Sequence, residues 1–150
     1  MNGRNPIRLL MVGPWRLVAM RRHMDWAVEN GIEVCVADFR VSQDVVFPAG
    51  FHFTSLLPRR AKSIDQPATR KNSGLARQIA ALRLQDIAAS FQPDLVHSYM
   101  LDLHTELCLA AGLQPLVVSA WGYLNGLMTT GATAKDRRWL GRLRQGAHTL

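Results

Sequence analysis

Two short apolar runs, Leu95-Val96 and Leu116-Val117-Val118, constrain this chain more than any other feature. Neither alternates with polar residues, which is the pattern of strands covered on both faces, as in a parallel sheet. They lie in the stretch PDLVHSYMLDLHTELCLAAGLQPLVVSAWGYLNG, residues 93–126, separated by a polar loop, a helical segment and Gly112. Each run ends in residues able to bind or to do chemistry: His97-Ser98-Tyr99 after the first, Ser119-Ala120-Trp121-Gly122-Tyr123 after the second. Open parallel sheets bind ligands outside the carboxyl ends of their strands, so these two loops mark the expected site.

The rest of the chain reads as an α/β alternation. A first strand runs from Ile7 to Val12 and closes on Gly13-Pro14. A helix follows from Leu17 to Asn30, with Leu17, Met20, Met24, Ala27 and Val28 at helical spacing. Gly31 is the expected stop, and Ile32 to Ala37 the second strand, completing a right-handed βαβ unit. Val45-Val46-Phe47 and Phe51-His52-Phe53-Thr54 are both β-prone, and the latter reads as the third strand. Residues 57–73 are polar, basic and broken by Pro58 and Pro67, which predicts a loop. The helix expected over 74–91, with Ser73 as its cap, has a main apolar row of Ala80, Leu84, Ile87 and Phe91. A second row, Leu75, Ile79 and Leu82, should touch something other than its own sheet. The fourth strand follows Pro93, a helix opens at Asp102, and the fifth strand covers Leu116 to Ala120. A last helix is expected over 134–145, opened by Thr133 and Asp136. Residues 146–150 then read as a sixth strand cut off as it begins. There is no internal repeat.

A length of 150 residues with 48% hydrophobic and 19% charged side chains suits one globular domain. The apolar runs fall far short of the roughly 20 residues that cross a bilayer. No signal peptide is read at the N-terminus, Cys35 and Cys108 look like small buried hydrophobes, and a cytoplasmic location is the expectation. The net charge of +7 concentrates at Arg21-Arg22, over 59–77, and at Arg137, Arg138, Arg142 and Arg144. Two readings stay open: a solvated basic face, or contact with anionic partners such as acidic lipid headgroups. No nucleic-acid signature accompanies the charge. A serine elbow, a Cys–His pair and metal-ligand spacing are all missing, so no metal is expected.

The order IRLLMVGPW, RRHMDWAVENGIEVCVADF, FQPDLVHSYM, PLVVSAWG and RLRQGAHTL resembles the N-terminal domain of GT-B-fold glycosyltransferases, most closely the retaining family-4 type. The likeness spans nearly the whole chain, and the pairing of PD-x-V-H with S-x-W-G is its most specific part. It implies a Rossmann-like parallel sheet with helices on both faces, residues 1–150 forming the acceptor-side half of a two-domain enzyme. The nucleotide-sugar domain would lie outside this chain, which alone should be inactive. No cofactor is implied; the partners are a nucleotide-sugar donor and a glycan or glycolipid acceptor, with nucleic acid excluded. Two departures from the family stand out. The loop after the first strand, Gly13-Pro14-Trp15-Arg16, lacks the paired glycines, leaving Arg16, Arg21 or Arg22 to supply charge to donor phosphates. Trp121-Gly122 is followed by Tyr123-Leu124 where relatives have Ser-Asp, so that aspartate's role is unfilled unless Asn125 takes it.

On this resemblance His97 is the catalytic candidate, and Ser98, Tyr99, Ser119, Trp121, Gly122 and Tyr123 the acceptor contacts. Gly13, Pro14, Trp15 and Arg16 are expected near the donor. His23 and His104 read chiefly as structural or exposed, although His23 lies where members of that family often carry a histidine on the first helix. Asp38 ends the second strand, where dinucleotide-binding proteins hold ribose, but the G-x-G-x-x-G fingerprint is absent. A nucleotide- or NAD-type domain of other chemistry and a non-catalytic interaction domain remain the alternatives. Two segments are candidates for peripheral membrane contact: Leu56-Leu57 with the basic loop, and the last helix with Trp139, Leu140 and Leu143.

Overall fold

The computed structural model describes residues 5–39, 50–57, 73–100, 103–119, 137, 138 and 141. Among these residues five strands form one all-parallel sheet: β1 (Arg8–Val12), β2 (Glu33–Asp38), β3 (Phe51–Ser55), β4 (Leu95–Ser98) and β5 (Leu116–Val118). Their spatial order is β3-β2-β1-β4-β5, a Rossmann-like arrangement in which the order reverses between β1 and β4. The register aligns Leu10 with Cys35 and Val96, and Met11 with Val36 and His97.

Alternation along the strands divides the core in two. Leu10, Val12, Cys35, Ala37 and Val96 face α2 (Ser73–Phe91) and α3 (Leu103–Ala110). Met11, Val34 and Val36 face α1 (Val18–Glu29), with Met20, Met24 and Ala27 buried against them. Helices therefore cover both faces, and β1 and β2 are apolar without alternation because each neighbour is helix or sheet. Leu17, expected on the buried row of α1, instead stands exposed at its N-cap, ahead of the first turn that packs.

The predicted helix stops at Gly31 and Gly112 share one geometry. Both adopt positive φ, 74° and 67°. The residue after each donates back five positions, Ile32 N to Ala27 O at 2.9 Å and Leu113 N to Cys108 O at 3.1 Å. This closure satisfies helix-end carbonyls and needs the left-handed conformation that glycine adopts without a Cβ penalty.

In α2 the main row is buried as expected, with Ala80 and Leu84 fully inaccessible. The second row is not: Leu75, Ile79 and Leu82 are exposed among the described residues. Beside it a cleft of about 460 Å³ runs between α2 and α3, bridged by the Arg77–Glu106 ion pair at 3.3 Å. Two further expectations are corrected. Val117 is 37% exposed: among the described residues β5 is the end strand, and α1 packs over β1 and β2 instead. Leu56 and Leu57 are buried in the α2 core, held by the turn that follows β3, and so offer no apolar anchor to a membrane. Both cysteines are free and buried, as expected. Arg137, Arg138 and Gly141 have helical backbone, in keeping with a helix over 134–145; the rest of that segment, Val45-Val46-Phe47, Asp102 and most of the 57–73 loop lie outside the described residues. No described helix is long and apolar enough to cross a membrane.

Candidate functional site

The carboxyl ends of β1, β4 and β5 carry a polar cluster on the α1 face. His97 is the third residue of β4, paired in register with Met11 and Val117, so its side chain emerges on the face of Met11. Its Nε2 lies 2.7 Å from Ser119 Oγ, just past β5. Ser119 is held there by its amide, which donates to Ser98 O at 2.9 Å, extending the β4–β5 ladder by one bond. The strand ladder therefore fixes this imidazole–hydroxyl pair.

Tyr99 completes the cluster from beneath. Its amide donates to Val12 O at 2.9 Å, its ring is 1% exposed, and its hydroxyl meets His23 Nδ1 at 2.9 Å. The rings of His23, His97 and Tyr99 lie around one another in tilted and edge-on contacts at centroid separations of 5.3–6.4 Å. Burial, and then the nearby His23, push the His97 pKa below its usual value, so the ring is neutral at pH 7. Burial raises the Tyr99 phenol, which stays protonated. A neutral imidazole and a serine hydroxyl can donate and accept hydrogen bonds without fixing a net charge, while the buried Tyr99 phenol supports them from behind. Such a surface suits hydroxyl-rich ligands.

The loop after β1 is organised by packing. A Cβ on Gly13 would sit 2.8 Å from Tyr99 Cβ and 3.3 Å from Met20 Sδ, so the missing side chain there makes room for Tyr99. Tyr99 thereby fills the switch point between β1 and β4, where open sheets usually keep their ligand crevice. Trp15 is also buried, edge-on to Phe53 with ring centroids 5.6 Å apart. Arg16 is exposed, its guanidinium carbon 5.5 Å from the Trp15 ring centre. Pro14 accepts from Leu17 N at 2.9 Å and shapes the entry into α1.

Ser98 points to the opposite face, fully buried, and hydrogen-bonds Thr105 Oγ1 at 2.7 Å and Met100 O at 3.3 Å. It ties β4 to α3 and is removed from the cluster. Asp38 and His104 form a second buried pair, Oδ1 to Nε2 at 3.4 Å, with Oδ1 also accepting from Phe39 N at 2.6 Å. The His104 ring lies over Phe39, centroids 4.7 Å apart. Asp38 is thus turned inward and offers no carboxylate to a ribose. Trp121, Gly122 and Tyr123 lie outside the described residues.

His23 joins His97 and Tyr99 although its spacing on α1 gave no hint of a site. The signal that could have found it is its place on the first helix, where the resemblance expects a histidine. No group of three or more metal-ligating side chains occurs among the described residues.

No model of a known protein family matches this chain, and no curated protein does. Among solved structures it is similar to "Crystal Structure of UDP-galactose 4-epimerase", at 15% identity and a TM-score of 0.35. The match covers 63% of this chain and 38% of that one, so the chain spans well under half the length of its structural neighbour. So distant a likeness assigns no chemistry to the strand-end cluster.

Proposed function

We propose that this chain is the acceptor-side domain of a glycosyltransferase that moves a sugar from a nucleotide-sugar to a glycan or glycolipid, with retention. The observation that carries the reading is the His97–Ser119 pair, 2.7 Å apart at the carboxyl ends of β4 and β5. An acceptor hydroxyl has to be oriented by groups that hydrogen-bond it without binding it as an ion, and a neutral imidazole beside a hydroxyl does this. The motif resemblance supports the same reading. Trp121, Gly122 and Tyr123, which follow Ser119 in sequence, belong to it as further acceptor contacts.

The donor side of the reading changes with the geometry. Gly13 is engaged in packing Tyr99, so charge toward donor phosphates is assigned to Arg16, exposed on Trp15, in place of a glycine backbone. The remaining donor contacts are assigned to a second domain, and the 150 residues alone catalyse no transfer. Neither metal nor cofactor enters the proposal. Peripheral contact with anionic membrane, through the arginines of 137–144, belongs to the lipid-acceptor version.

Imidazole NMR of the chain provides the test. Titration with glycans or glycolipid headgroups should shift the His97 ring, and Ser119→Ala should abolish the shift. Response to NAD(P) alone, or indifference of His97 to every carbohydrate, would sink the reading. Sugar transfer by the isolated chain would overturn its two-domain part.

A further inference from the structure

The atoms that suit His97 and Ser119 to an acceptor also meet the requirements of a reactive serine. A serine hydroxyl is a weak nucleophile until a base stands within about 2.6–3.2 Å to take its proton. Ser119 Oγ is 2.7 Å from His97 Nε2. The base must be unprotonated at working pH, and burial together with His23 keeps this imidazole neutral. It must also be held, and the Tyr99 ring at 5.3 Å and the β4 ladder hold it. Finally, the hydroxyl must be reachable. Ser119 is half-buried at the strand end, and its neighbour Val117, in register with His97, is 37% exposed.

We propose that Ser119 and His97 form a serine–histidine dyad, and that Ser119 is a site of covalent modification by activated acyl or phosphonyl donors. In the reactive tautomer His97 carries its proton on Nδ1 and accepts the Ser119 hydroxyl at Nε2. Against a fluorophosphonate, Ser119 Oγ forms a bond to phosphorus, the phosphorus–fluorine bond breaks, and fluoride leaves. The hydroxyl proton passes to Nε2 and then to water. No oxidant or other co-reactant is needed.

The same geometry works against turnover. The Ser119 amide, the donor nearest a developing oxyanion, is committed to Ser98 O at 2.9 Å. An amide so engaged is not offered to a developing oxyanion, and oxyanion stabilisation is the larger share of such catalysis. One adduct per chain is expected, at Ser119. This property does not depend on glycosyl transfer: either can fail while the other stands.

The experiment is intact-mass and peptide-mass mapping of the chain after exposure to a fluorophosphonate, from pH 5 to 9. One adduct is expected, on Ser119, forming roughly 10²-fold or more faster than on the urea-unfolded chain, the low end of general-base assistance. Ser55, Ser90 and Ser98 serve as internal controls. The rate should rise with pH through a pKa below the ordinary histidine value and level off by neutrality. His97→Asn should remove the acceleration while His104→Asn leaves the pH profile in place. A folded chain that labels no faster than the unfolded one, an adduct confined to other serines, or a pH profile without the histidine step would each overturn the proposal. The wild-type pH profile decides the matter even if the His97 variant folds poorly.

Discussion

Gly13→Ala carries the sharpest stability prediction, because the added atom would meet two defined neighbours. Its Cβ would sit 2.8 Å from Tyr99 Cβ and 3.3 Å from Met20 Sδ. Non-bonded carbons rest at about 3.5–4.0 Å, so the tyrosine contact falls short by roughly 0.7–1.2 Å. The methionine sulfur sits on a flexible side chain and can yield. Tyr99 Cβ cannot, because it is fixed to a backbone whose amide bonds Val12 O at 2.9 Å, and its ring is buried. Relief requires spreading β1 from β4 or tilting the tyrosine away from His23. Overpacking of this kind costs about 1–3 kcal/mol, and the immovable partner argues for about 2–3 kcal/mol here. Urea unfolding read by tryptophan fluorescence should show a lower midpoint at unchanged slope. Each kcal/mol lowers the melting temperature by roughly 2–4 °C for a chain of this size. In a Met20→Ala background the penalty should persist nearly whole, with a coupling under about 0.5 kcal/mol. A Gly13→Ala chain within about 0.5 kcal/mol of wild type, or one fully rescued by Met20→Ala, would refute the reasoning.

Three further outcomes are expected. Leu84→Ala should cost about 2–5 kcal/mol, while Leu82→Ala on the exposed row of the same helix should stay within about 0.5 kcal/mol; urea midpoints of the two variants, compared side by side, check this. The lowered His97 pKa means that the unfolded chain binds the proton more readily than the folded one. The corresponding stability is full above the ordinary histidine pKa and is lost as pH falls from there through the lowered value, so unfolding midpoints should drop on acidification, and His97→Asn should flatten that slope. The Cys35 thiol, pushed up to about 11 by burial and by Glu33, works in the opposite sense. Its stability is full below 9.0, the ordinary value, and is lost between there and about 11, at up to roughly 1.4 kcal/mol per pH unit; Cys35→Ala should remove this alkaline loss, and its persistence would count against the assignment.

Much of the architecture was legible because it is written in local chemistry. Apolar runs without alternation announced strands covered twice, and glycines after Asn30 and Ala111 announced helix stops that close with the same backbone bonds. The candidate site was legible in part. The strand-end rule led to His97 and Ser119, but it could not tell which side chains share a face there. His97 and Tyr99 turn toward α1 while Ser98, between them, turns toward α3; the period of two along β4 decides this. His23 was hidden because its partner Tyr99 lies 76 positions away, and nothing local links them. The missing glycine fingerprint already argued against a ribose contact at Asp38, but only the packing of α3 brings His104 onto it.

The sequence by itself determined the alternation of strands and helices, the buried rows of α1 and α2, and the end of the sheet at which a site should form. These depend on periodicity, capping and turn preference, which act between residues a few positions apart. The tertiary structure alone decided that Tyr99 fills the switch point, that Gly13 exists to admit it, and that His97 meets Ser119 across two strands. Those contacts depend on register and on which helix covers which face. They arise only once the sheet has closed, since no short-range preference fixes the distance between groups so far apart along the chain.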